Sequence, residues 1–333
     1  MNRNTVISQD AVKAIVIEAH GGPEQLKLKE VHLPAPGPGQ ALVEVAAIGV
    51  NFMDVGTREG YRRGNTRLPL TIGVEGAGRI AALGTGVTGL EVGDRVGWYF
   101  VWGSYAGRII APAESLVPLP DDIDFETAAS LMMQGLTASH FVFDSYAVRP
   151  GDAALVHAAA GGVGLLLTQM IKLLGGTVIG RVSSPDKVEI ARTAGADEVI
   201  VSGIGDFAKE VLRLTGGEGV HVVYDGAGAE TFRDSLASLR HHGVLVCYGP
   251  LMKPLPPIDI FDLPKSVLVT YPMVMHHVRT HEALVQRSNQ LFEWVREGKL
   301  KIRIGSRYPL AEAARAHQDI QSRRTTGKLL LVP

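Results

Sequence analysis

Residues 156–164 constrain the fold of this 333-residue chain more than any other stretch of its sequence. An apolar strand leads into a glycine-rich turn, and an apolar helical run over 165–174 begins directly after it. A strand, a glycine-rich turn and a helix in this order are typical of a dinucleotide-binding site. Glycine lacks the Cβ atom that would keep a pyrophosphate away from the backbone, and the amides at the helix start face the anion. We therefore predict that Gly161, Gly162 and Val163 bind a dinucleotide; an ordinary tight turn is the alternative.

The sequence after this turn continues to alternate between apolar strands and helices. The predicted strands are 177–182, 198–201, 220–224, 244–248 and 266–270, and the predicted helices are 187–194, 207–214 and 231–239. Strands with nearly continuous apolar runs, separated by helices, indicate a parallel sheet covered on both faces. Together with the strand before the glycines, these segments predict a doubly wound parallel six-stranded Rossmann domain over residues 136–270.

The residues after the second of these strands bear on which dinucleotide binds. A site for NAD needs a carboxylate at the strand tip, roughly 20 residues after the glycines, to hold the ribose hydroxyls. That place holds Arg181, Ser183, Ser184 and then Lys187, whereas Asp186 lies at the start of the next helix. Hydroxyl groups and cations suit the 2′-phosphate of NADPH. We predict NADPH as the cofactor, although the serine pair also suits a helix N-cap.

Composition and charge exclude several classes of protein. The chain has 33 Lys and Arg residues against 34 Asp and Glu residues, so its net charge of −1 predicts no membrane partner and no nucleic acid as the main one. The single cysteine, Cys247, allows no intrachain disulfide, which favours the reducing cytoplasm. Residues 1–10 are polar and predict no signal peptide. The segment 299–303, in which basic and apolar residues alternate, is interpreted as a half-exposed strand rather than a polybasic patch.

Residues 1–135 and 271–333 differ in pattern from the part between them. Short apolar runs occupy 14–18, 26–31, 40–47, 76–83 and 95–99, and turns rich in glycine and proline separate them. This pattern predicts an antiparallel β-barrel. Helices over 281–297 and 310–320 and a strand over 328–332 are expected to return to that barrel. The chain is therefore predicted to be an α/β protein in which a Rossmann domain is inserted into a barrel domain.

Several motifs together resemble the medium-chain dehydrogenase/reductase superfamily. They are Asn51-Phe52-Met53-Asp54 with Arg58 and Gly60-Tyr61, the segments 73–78, 92–96, 134–138 and 158–164, and Arg315-Ala316-His317 before Gly327-Lys328. The similarity runs from Val12 to Pro333 and is strongest to the zinc-free quinone oxidoreductase branch, which includes zeta-crystallin. It implies that the barrel is a GroES-like catalytic domain.

The resemblance also implies that no zinc is bound. Where zinc-containing members of the superfamily place their metal ligands, this chain has Asn51, Val74 and Met133. An amide, an alkyl group and a thioether do not replace thiolate and imidazole ligands. A structural zinc site with four cysteines is impossible with one cysteine, and the histidines at 276, 277 and 281 are interpreted as a loop and a helix start. We predict no metal.

The same resemblance assigns candidate site residues. Asn51, Tyr61 and Thr137 are the candidate catalytic residues near the nicotinamide and the acceptor. Asn51, Thr137 and the glycine turn are also candidates for cofactor binding, and Asp54 is expected to organise the Asn51 loop. The further cofactor-binding candidates are Asp54, Ser183, Ser184, Lys187, Ala227, Tyr248 and Lys328. Simpler alternatives stay open: a turn or cap asparagine, a capping threonine, an exposed loop tyrosine and a surface lysine.

Three positions depart from the pattern of this branch. Ser202 stands where a tyrosine often contacts the 2′-phosphate, Tyr271 replaces an arginine of the acceptor region, and Gly56 replaces a tyrosine of the early loop. These departures weaken any transfer of substrate identity to this chain.

A site without a Lewis acid is poorly suited to polarising an alcohol oxygen, whereas a quinone can delocalise an incoming hydride by itself. We therefore predict an NADPH-dependent oxidoreductase that reduces quinones. One alternative is reduction of the C=C bond of enones or enoyl thioesters, and an alternative of another class is a nucleotide-binding structural or RNA-contacting protein. The resemblance also implies a homodimer that pairs through the strand at 266–270.

Overall fold

A computed structural model describes residues 11–61, 67–203, 205–249, 255 and 257–333. The chain divides into two compact units. The first comprises Met1–Met133, Ser306–Ser322 and Leu329–Pro333, and the second comprises Gln134–Gly305 and Arg323–Lys328. The prediction of no signal peptide concerns residues 1–10, which lie outside the described residues. Within the part of the chain that the structure describes, no helix combines the length and hydropathy needed to cross a membrane.

The part of the first unit that precedes Gln134 consists mainly of antiparallel strands. They are β1 (Ala11–Ile17), β2 (Lys27–His32), β3 (Gln40–Val50), β4 (Leu70–Thr71), β5 (Glu75–Leu83), β6 (Arg95–Tyr99), β7 (Arg108–Pro112) and β8 (Leu116–Pro118), with helices α1 (Phe52–Glu59) and α2 (Phe125–Leu131). The structure contains every strand that the sequence predicted here. Helix α1 was missed because its buried face carries the charged residues Asp54 and Arg58, which hide the helical periodicity.

The second unit begins with α3 (Gln134–His140) and contains a parallel sheet with its covering helices. The elements are β9 (Ala153–Val156), α4 (Gly162–Leu173), β10 (Thr177–Val182), α5 (Val188–Thr193), β11 (Glu198–Val201), α6 (Phe207–Leu214), β12 (Val220–Asp225), α7 (Phe232–Ala237), β13 (Leu239–Cys247), β14 (Leu268–Thr270) and α8 (His281–Arg296). The six strands are parallel in the order β11-β10-β9-β12-β13-β14. This is the strand order of a doubly wound dinucleotide-binding domain, so the predicted fold class is confirmed.

Two predictions of secondary structure were wrong. Strand β13 begins at Leu239, where the sequence predicted the end of a helix, because residues 240–242 are polar and exposed and interrupt the apolar pattern. The segment 299–303 is not a strand; the next strand begins only at Ile304. In that segment exposed lysines alternate with the buried Leu300, so exposure alternates without any strand pairing.

The last elements are β15 (Ile304–Pro309), α9 (Ala313–Gln321) and β16 (Lys328–Val332). Strands β15 and β16 join a seven-stranded sheet in the order β15-β16-β3-β5-β6-β8, and β7 also pairs with β3. Residues 271–305 fall in the second unit, whereas the sequence analysis assigned them to the barrel domain. The physical reason is that α8 packs on α3, where Arg287 Nη1 donates a hydrogen bond to Ser139 Oγ at 3.2 Å.

Candidate functional site

The glycine turn between β9 and α4 leaves its backbone accessible at the start of the helix. Gly161 is the N-cap of α4 in an extended conformation, and no side chain caps the helix there. A Cβ atom added at Gly164 would overlap the carbonyl oxygen of Ala158, and one added at Gly162 would overlap the side chain of Gln134. Close packing against backbone therefore requires Gly164, whereas the Gln134 side chain would have to move to admit a Cβ at Gly162. The turn offers uncapped amides and a positive helix end, which fit a pyrophosphate.

The C-terminal part of the chain contacts this turn within the second unit. The Gly327 amide donates to the Ala160 carbonyl at 3.0 Å, and Gly327 forms a parallel bridge with Gly161. Gly327 has a left-handed φ of 64°, and a Cβ atom there would overlap the Arg303 carbonyl. The next residue, the predicted cofactor ligand Lys328, is buried. The predicted link between this lysine and the cofactor stays a prediction.

A buried polar cluster lies at the carboxyl ends of β9 and β12. The Asp225 carboxylate accepts hydrogen bonds from the amides of Ala227 (2.8 Å) and Gly228 (3.0 Å) and from the hydroxyls of Thr231 and Ser235 (2.7 Å each). These bonds fix the backbone that follows β12. The predicted cofactor residue Ala227 is thus held in place through its own amide.

The same cluster contains His157, the residue between β9 and the glycine turn. Its Nε2 is 3.2 Å from Ser235 Oγ and its Nδ1 is 3.9 Å from Asp225 Oδ1. Burial lowers the pKa of His157 from 6.5 to about 4, so the ring is neutral at pH 7. Burial opposes ionisation of Asp225, but His157 and the hydrogen bonds from Ser235, Gly228 and Thr231 hold the pKa of Asp225 below 3.8. A neutral histidine therefore lies beside an ionised carboxylate directly under the turn.

Arg181 was predicted as a cation for the 2′-phosphate, and the structure turns it inward instead. Its Nε donates to Ser202 Oγ at 2.9 Å, its Nη1 lies 3.2 Å from His157 Nδ1, and its Nη2 donates to the Gly203 carbonyl. The guanidinium also lies over the Phe207 ring, 4.7 Å from the centroid. Because these contacts engage the whole guanidinium group, Arg181 joins β10 to the buried cluster.

The other candidates at the tip of β10 do come together. Lys187 Nζ is 3.3 Å from Ser183 Oγ and also donates to the carbonyl of Arg323. The Arg323 side chain is largely exposed and lies 3.6 Å from Glu230. Burial lowers the pKa of Lys187. Ser183 is exposed and Ser184 half-buried, so two hydroxyls and the Lys187 ammonium lie at this tip, and the main chain of Arg323, a residue that was not predicted from the sequence, contacts it.

Two further candidates in the second unit lie on defined elements. Thr137 is the fourth residue of α3 and is half-buried. Tyr248 follows β13, where its amide donates to the Asp225 carbonyl at 2.9 Å and its ring lies 4.9 Å from that of Phe141. Burial raises the pKa of Tyr248, so its hydroxyl stays protonated at neutral pH.

In the first unit, Asn51 begins helix α1 rather than a loop. It is the N-cap, and with Asp54 it forms a capping box in which the Asn51 amide donates to Asp54 Oδ2 at 2.9 Å. The side-chain nitrogen of Asn51 donates to Glu75 Oε1 at 2.7 Å, and the other Glu75 oxygen accepts from the Met133 amide at 2.5 Å. Asp54 thus organises this segment as predicted, and Glu75 is a partner that the sequence analysis did not identify.

The other end of α1 carries the third catalytic candidate. Tyr61 follows the left-handed C-cap Gly60 and is exposed, as is Phe52 at the start of the helix. The residues directly after Tyr61 lie outside the described part of the chain. The structure therefore places Asn51 and Tyr61 at opposite ends of one short helix.

Helix α1 rests on a second buried polar cluster. Tyr105 Oη donates to Asp54 Oδ2 at 3.0 Å and lies 3.1 Å from His317 Nε2. Arg58 Nη1 lies 3.3 Å from His317 Nδ1. Burial, and then the charge of Arg58, lowers the pKa of His317 from 6.5 to about 3, and burial raises the pKa of Tyr105. Both side chains are therefore uncharged at pH 7.

The positions that match the zinc ligands of related enzymes do not suit a metal. Asn51 offers an amide, Val74 an alkyl group and Met133 a thioether, and the carboxylate of Glu75, next to Val74, is engaged by Asn51 and by the Met133 amide. Among the residues that the structure describes, no three His, Cys, Asp or Glu side chains are grouped to hold a metal ion. The chemistry of these donors does not fit a zinc site.

Matches to known families agree with this architecture. Residues 37–121 match the model of the alcohol dehydrogenase GroES-like domain, and residues 194–331 match the model described as zinc-binding dehydrogenase. A parallel Rossmann sheet with this glycine turn, together with a GroES-like antiparallel domain, defines a nucleotide-dependent medium-chain dehydrogenase/reductase.

Known relatives indicate the branch of this superfamily to which the chain belongs. The chain is 41% identical over 324 residues to a quinone oxidoreductase of Pseudomonas aeruginosa, a match that covers 96% of this chain and 99% of the relative. It is 37% identical to a 2-haloacrylate reductase of a Burkholderia species, covering 97% and 99%. The crystal structure of Escherichia coli quinone oxidoreductase with NADPH superposes with a TM-score of 0.93 at 36% identity, covering 96% and 100%. The chain belongs to the zinc-free quinone oxidoreductase branch of the medium-chain dehydrogenase/reductase superfamily.

Proposed function

We propose that this protein is an enzyme that transfers a hydride from NADPH to a quinone. The observation that carries the proposal is the glycine turn, whose uncapped helix start fits a pyrophosphate and whose close packing requires Gly164. The relatives support the choice of reaction, because one is named a quinone oxidoreductase and the superposed structure of another contains NADPH.

Each part of the proposed cofactor site has a physical task. The amides of Gly162 and Val163 bind the pyrophosphate at the positive end of α4, and Gly161, whose own amide donates to the Ala158 carbonyl at 2.7 Å, lets the pyrophosphate approach because it has no Cβ. Ser183, Ser184, Lys187 and Arg323 bind the 2′-phosphate through hydroxyl donors and positive charge, and this set favours NADPH over NADH. The other proposed contacts to the cofactor are those of Asn51, Asp54, Thr137, Ala227, Tyr248 and Lys328.

NADPH, when bound, supplies the hydride. The proposed role of Asn51, Tyr61 and Thr137 is to orient the nicotinamide and the acceptor, because alignment of the reacting atoms is the main demand of hydride transfer to an activated acceptor. We propose that no metal takes part, since an amide, an alkyl group and a thioether occupy the ligand positions and the neighbouring Glu75 carboxylate is already engaged. Metal analysis of the purified, active enzyme tests this part, and stoichiometric zinc would contradict it.

A parallel screen of acceptors with NADPH and NADH tests the proposed reaction. Benzoquinone and naphthoquinone should oxidise NADPH well above the rate without enzyme, and NADH should serve less well. A chain that binds NADPH but turns over no quinone would contradict quinone reduction.

A second candidate is reduction of an activated C=C bond. The observation in its favour is the relative named 2-haloacrylate reductase, which is 37% identical over nearly the whole chain. The cofactor site serves both reactions. The same screen should therefore contain enones, haloacrylates and enoyl thioesters; turnover of these alone would replace the quinone as the substrate.

We also propose that the protein forms a homodimer through β14. This strand is at the end of the parallel sheet and pairs with β13 alone among the described residues, which leaves an open edge. Large apolar side chains are exposed there and just before it: Ile260 is 73% exposed, Phe261 93% and Leu268 64%. An open edge beside an apolar surface suits pairing with a second copy. Light scattering that finds a monomer at micromolar concentration would contradict the dimer, and a cytoplasmic location stays a prediction.

A further inference from the structure

We propose that Tyr105 and His317 are positioning residues that set the orientation of helix α1 and, through it, that of Asn51. The inference rests on the proposed function, because Asn51 is a proposed catalytic residue. It concerns two side chains for which no role was predicted from the sequence, and which lie far from α1 along the chain.

The buried cluster behind α1 has a single consistent arrangement of protons. The Tyr105 hydroxyl has one proton, which it donates to Asp54 at 3.0 Å. His317 is uncharged, so its Nε2, which faces the Tyr105 oxygen at 3.1 Å, carries the ring proton and donates it. The Nδ1 atom is then the acceptor for Arg58 at 3.3 Å. A directed chain of hydrogen bonds therefore runs from Arg58 through His317 and Tyr105 to Asp54.

This chain holds α1 at both ends of the helix. Asp54 is in its first turn and Arg58 in its last turn, four residues apart and therefore on one face. Arg58 is also bonded to the Gly21 carbonyl (3.0 Å) and to Gln321 (3.1 Å). Buried charges stabilise a fold less well than apolar side chains of the same size, but they define one orientation. We infer that the cluster contributes orientation more than stability.

Asp54 Oδ2 is the atom that connects the cluster to the site. It accepts from the Tyr105 hydroxyl at 3.0 Å and from the Asn51 amide at 2.9 Å. Loss of the hydroxyl leaves the Asp54 carboxylate able to rotate, and the capping box loosens. Asn51 then loses its fixed relation to Glu75. The predicted consequence is a displaced Asn51, with the cofactor turn of the second unit unaffected.

Two matched substitutions test this role. Tyr105→Phe removes the hydroxyl and keeps the buried ring. Tyr308→Phe is the control, because Tyr308 is also buried and donates at 2.8 Å to a different aspartate of the same unit, Asp319 of α9. Each substitution removes one tyrosine–aspartate hydrogen bond, and Tyr105→Phe also removes the acceptor of His317 Nε2. A merely structural role therefore predicts a larger loss of stability for Tyr105→Phe, but no greater loss of kcat in the folded enzyme.

We expect Tyr105→Phe to lower kcat with a good quinone about tenfold and to change the KM for NADPH less than kcat, because Asn51 and Asp54 are two of several proposed cofactor contacts and misalignment acts on the reaction more than on binding. We expect Tyr308→Phe to leave both values within about twofold. His317→Gln should retain more activity than His317→Leu, because glutamine still offers an N–H to Tyr105.

Amide hydrogen exchange of the cofactor-free protein provides a readout that does not depend on activity. Residues 52–59 should exchange faster in Tyr105→Phe than in the wild type or in Tyr308→Phe. Unchanged exchange in this helix, or equal losses of kcat in the two variants, would overturn the inference. If the wild type turns over no quinone, the proposed function fails while the exchange comparison still decides whether Tyr105 holds α1.

Discussion

The two units each bury a histidine, an aspartate and an arginine beneath their candidate site residues, but they use them differently. In the second unit, the Asp225 carboxylate accepts from two backbone amides and two hydroxyls, all from residues within ten positions of it. In the first unit, Asp54 reaches Tyr105 and, through it, His317 of α9. The hydrogen bonds of Asp225 fix a loop of main chain in the second unit, and those of Asp54 fix the rotation of helix α1 in the first unit. The cofactor side is therefore determined locally, whereas the proposed acceptor side depends on contacts between distant segments.

The largest expected effect is a loss of unfolding free energy at acidic pH, because protonation affects the buried histidines of both clusters. Burial lowers the pKa of His157 to about 4 and that of His317 to about 3, from 6.5, and it also lowers to about 3 the pKa of His140, the last residue of α3, which lies outside both clusters. The unfolded chain binds these protons first, so their contribution to stability is complete above pH 6.5 and is lost as the pH falls toward the folded values. Each histidine should cost about 2 kcal/mol of unfolding free energy at about pH 5.

Denaturant unfolding between about pH 8 and pH 5 measures this loss, which should amount to several kcal/mol for the three histidines. An unfolding free energy that stays constant over that interval would contradict the assignment of neutral, buried rings to these three histidines.

Replacing Asp225 or Asp54 by asparagine, each in its own variant, measures how much each cluster contributes to stability. Asp225→Asn should destabilise the protein by about 3 kcal/mol or more, because one amide oxygen cannot accept all four donors that the carboxylate holds. Asp54→Asn should cost only about 1 kcal/mol, because the amide oxygen still accepts from Tyr105 and Asn51. Thermal and denaturant unfolding of both variants provide the comparison. A larger loss for Asp54→Asn than for Asp225→Asn would reverse the distinction drawn between the two units.

The smallest effect concerns the choice of cofactor in the second unit. Lys187→Met should weaken NADPH binding about tenfold and leave NADH binding unchanged, because only NADPH carries the 2′-phosphate. Lys172→Met is the matched control, since Lys172 pairs with Asp197 at 2.7 Å on the surface of the same unit. Titration calorimetry with both nucleotides measures the ratio. An equal loss for NADH would show that Lys187 acts through the fold rather than on the phosphate.

The contrast between local contacts in the second unit and distant contacts in the first explains how much of the structure could be predicted from the sequence. The glycine turn and the six parallel strands are local patterns, so the fold could be predicted from neighbouring residues. The binding of a cofactor by that turn and by the serines at 183 and 184 stays a prediction. The contact between Arg58 and His317 joins positions 259 residues apart, and no local pattern indicates it. Both residues occur in motifs that carry the family resemblance, which was the only available signal.

Arg181 shows a different limit of sequence-based prediction. The sequence analysis placed Arg181 correctly at the tip of β10, but it expected the side chain to face the 2′-phosphate rather than the interior of the unit. The guanidinium turns toward Ser202, Gly203 and His157 because a small serine follows β11 and leaves room for it. Direction depends on the shape of neighbouring side chains in space, which strand and helix periodicity does not specify.

Amide exchange at the glycine turn, with and without NADPH, tests the central claim most directly. We predict that saturating NADPH slows exchange of residues 158–166 in the wild type, and that Gly164→Ala, whose Cβ would overlap the Ala158 carbonyl, loses this protection. NADPH that binds without slowing exchange at these residues would contradict the claim that the coenzyme lies on this turn.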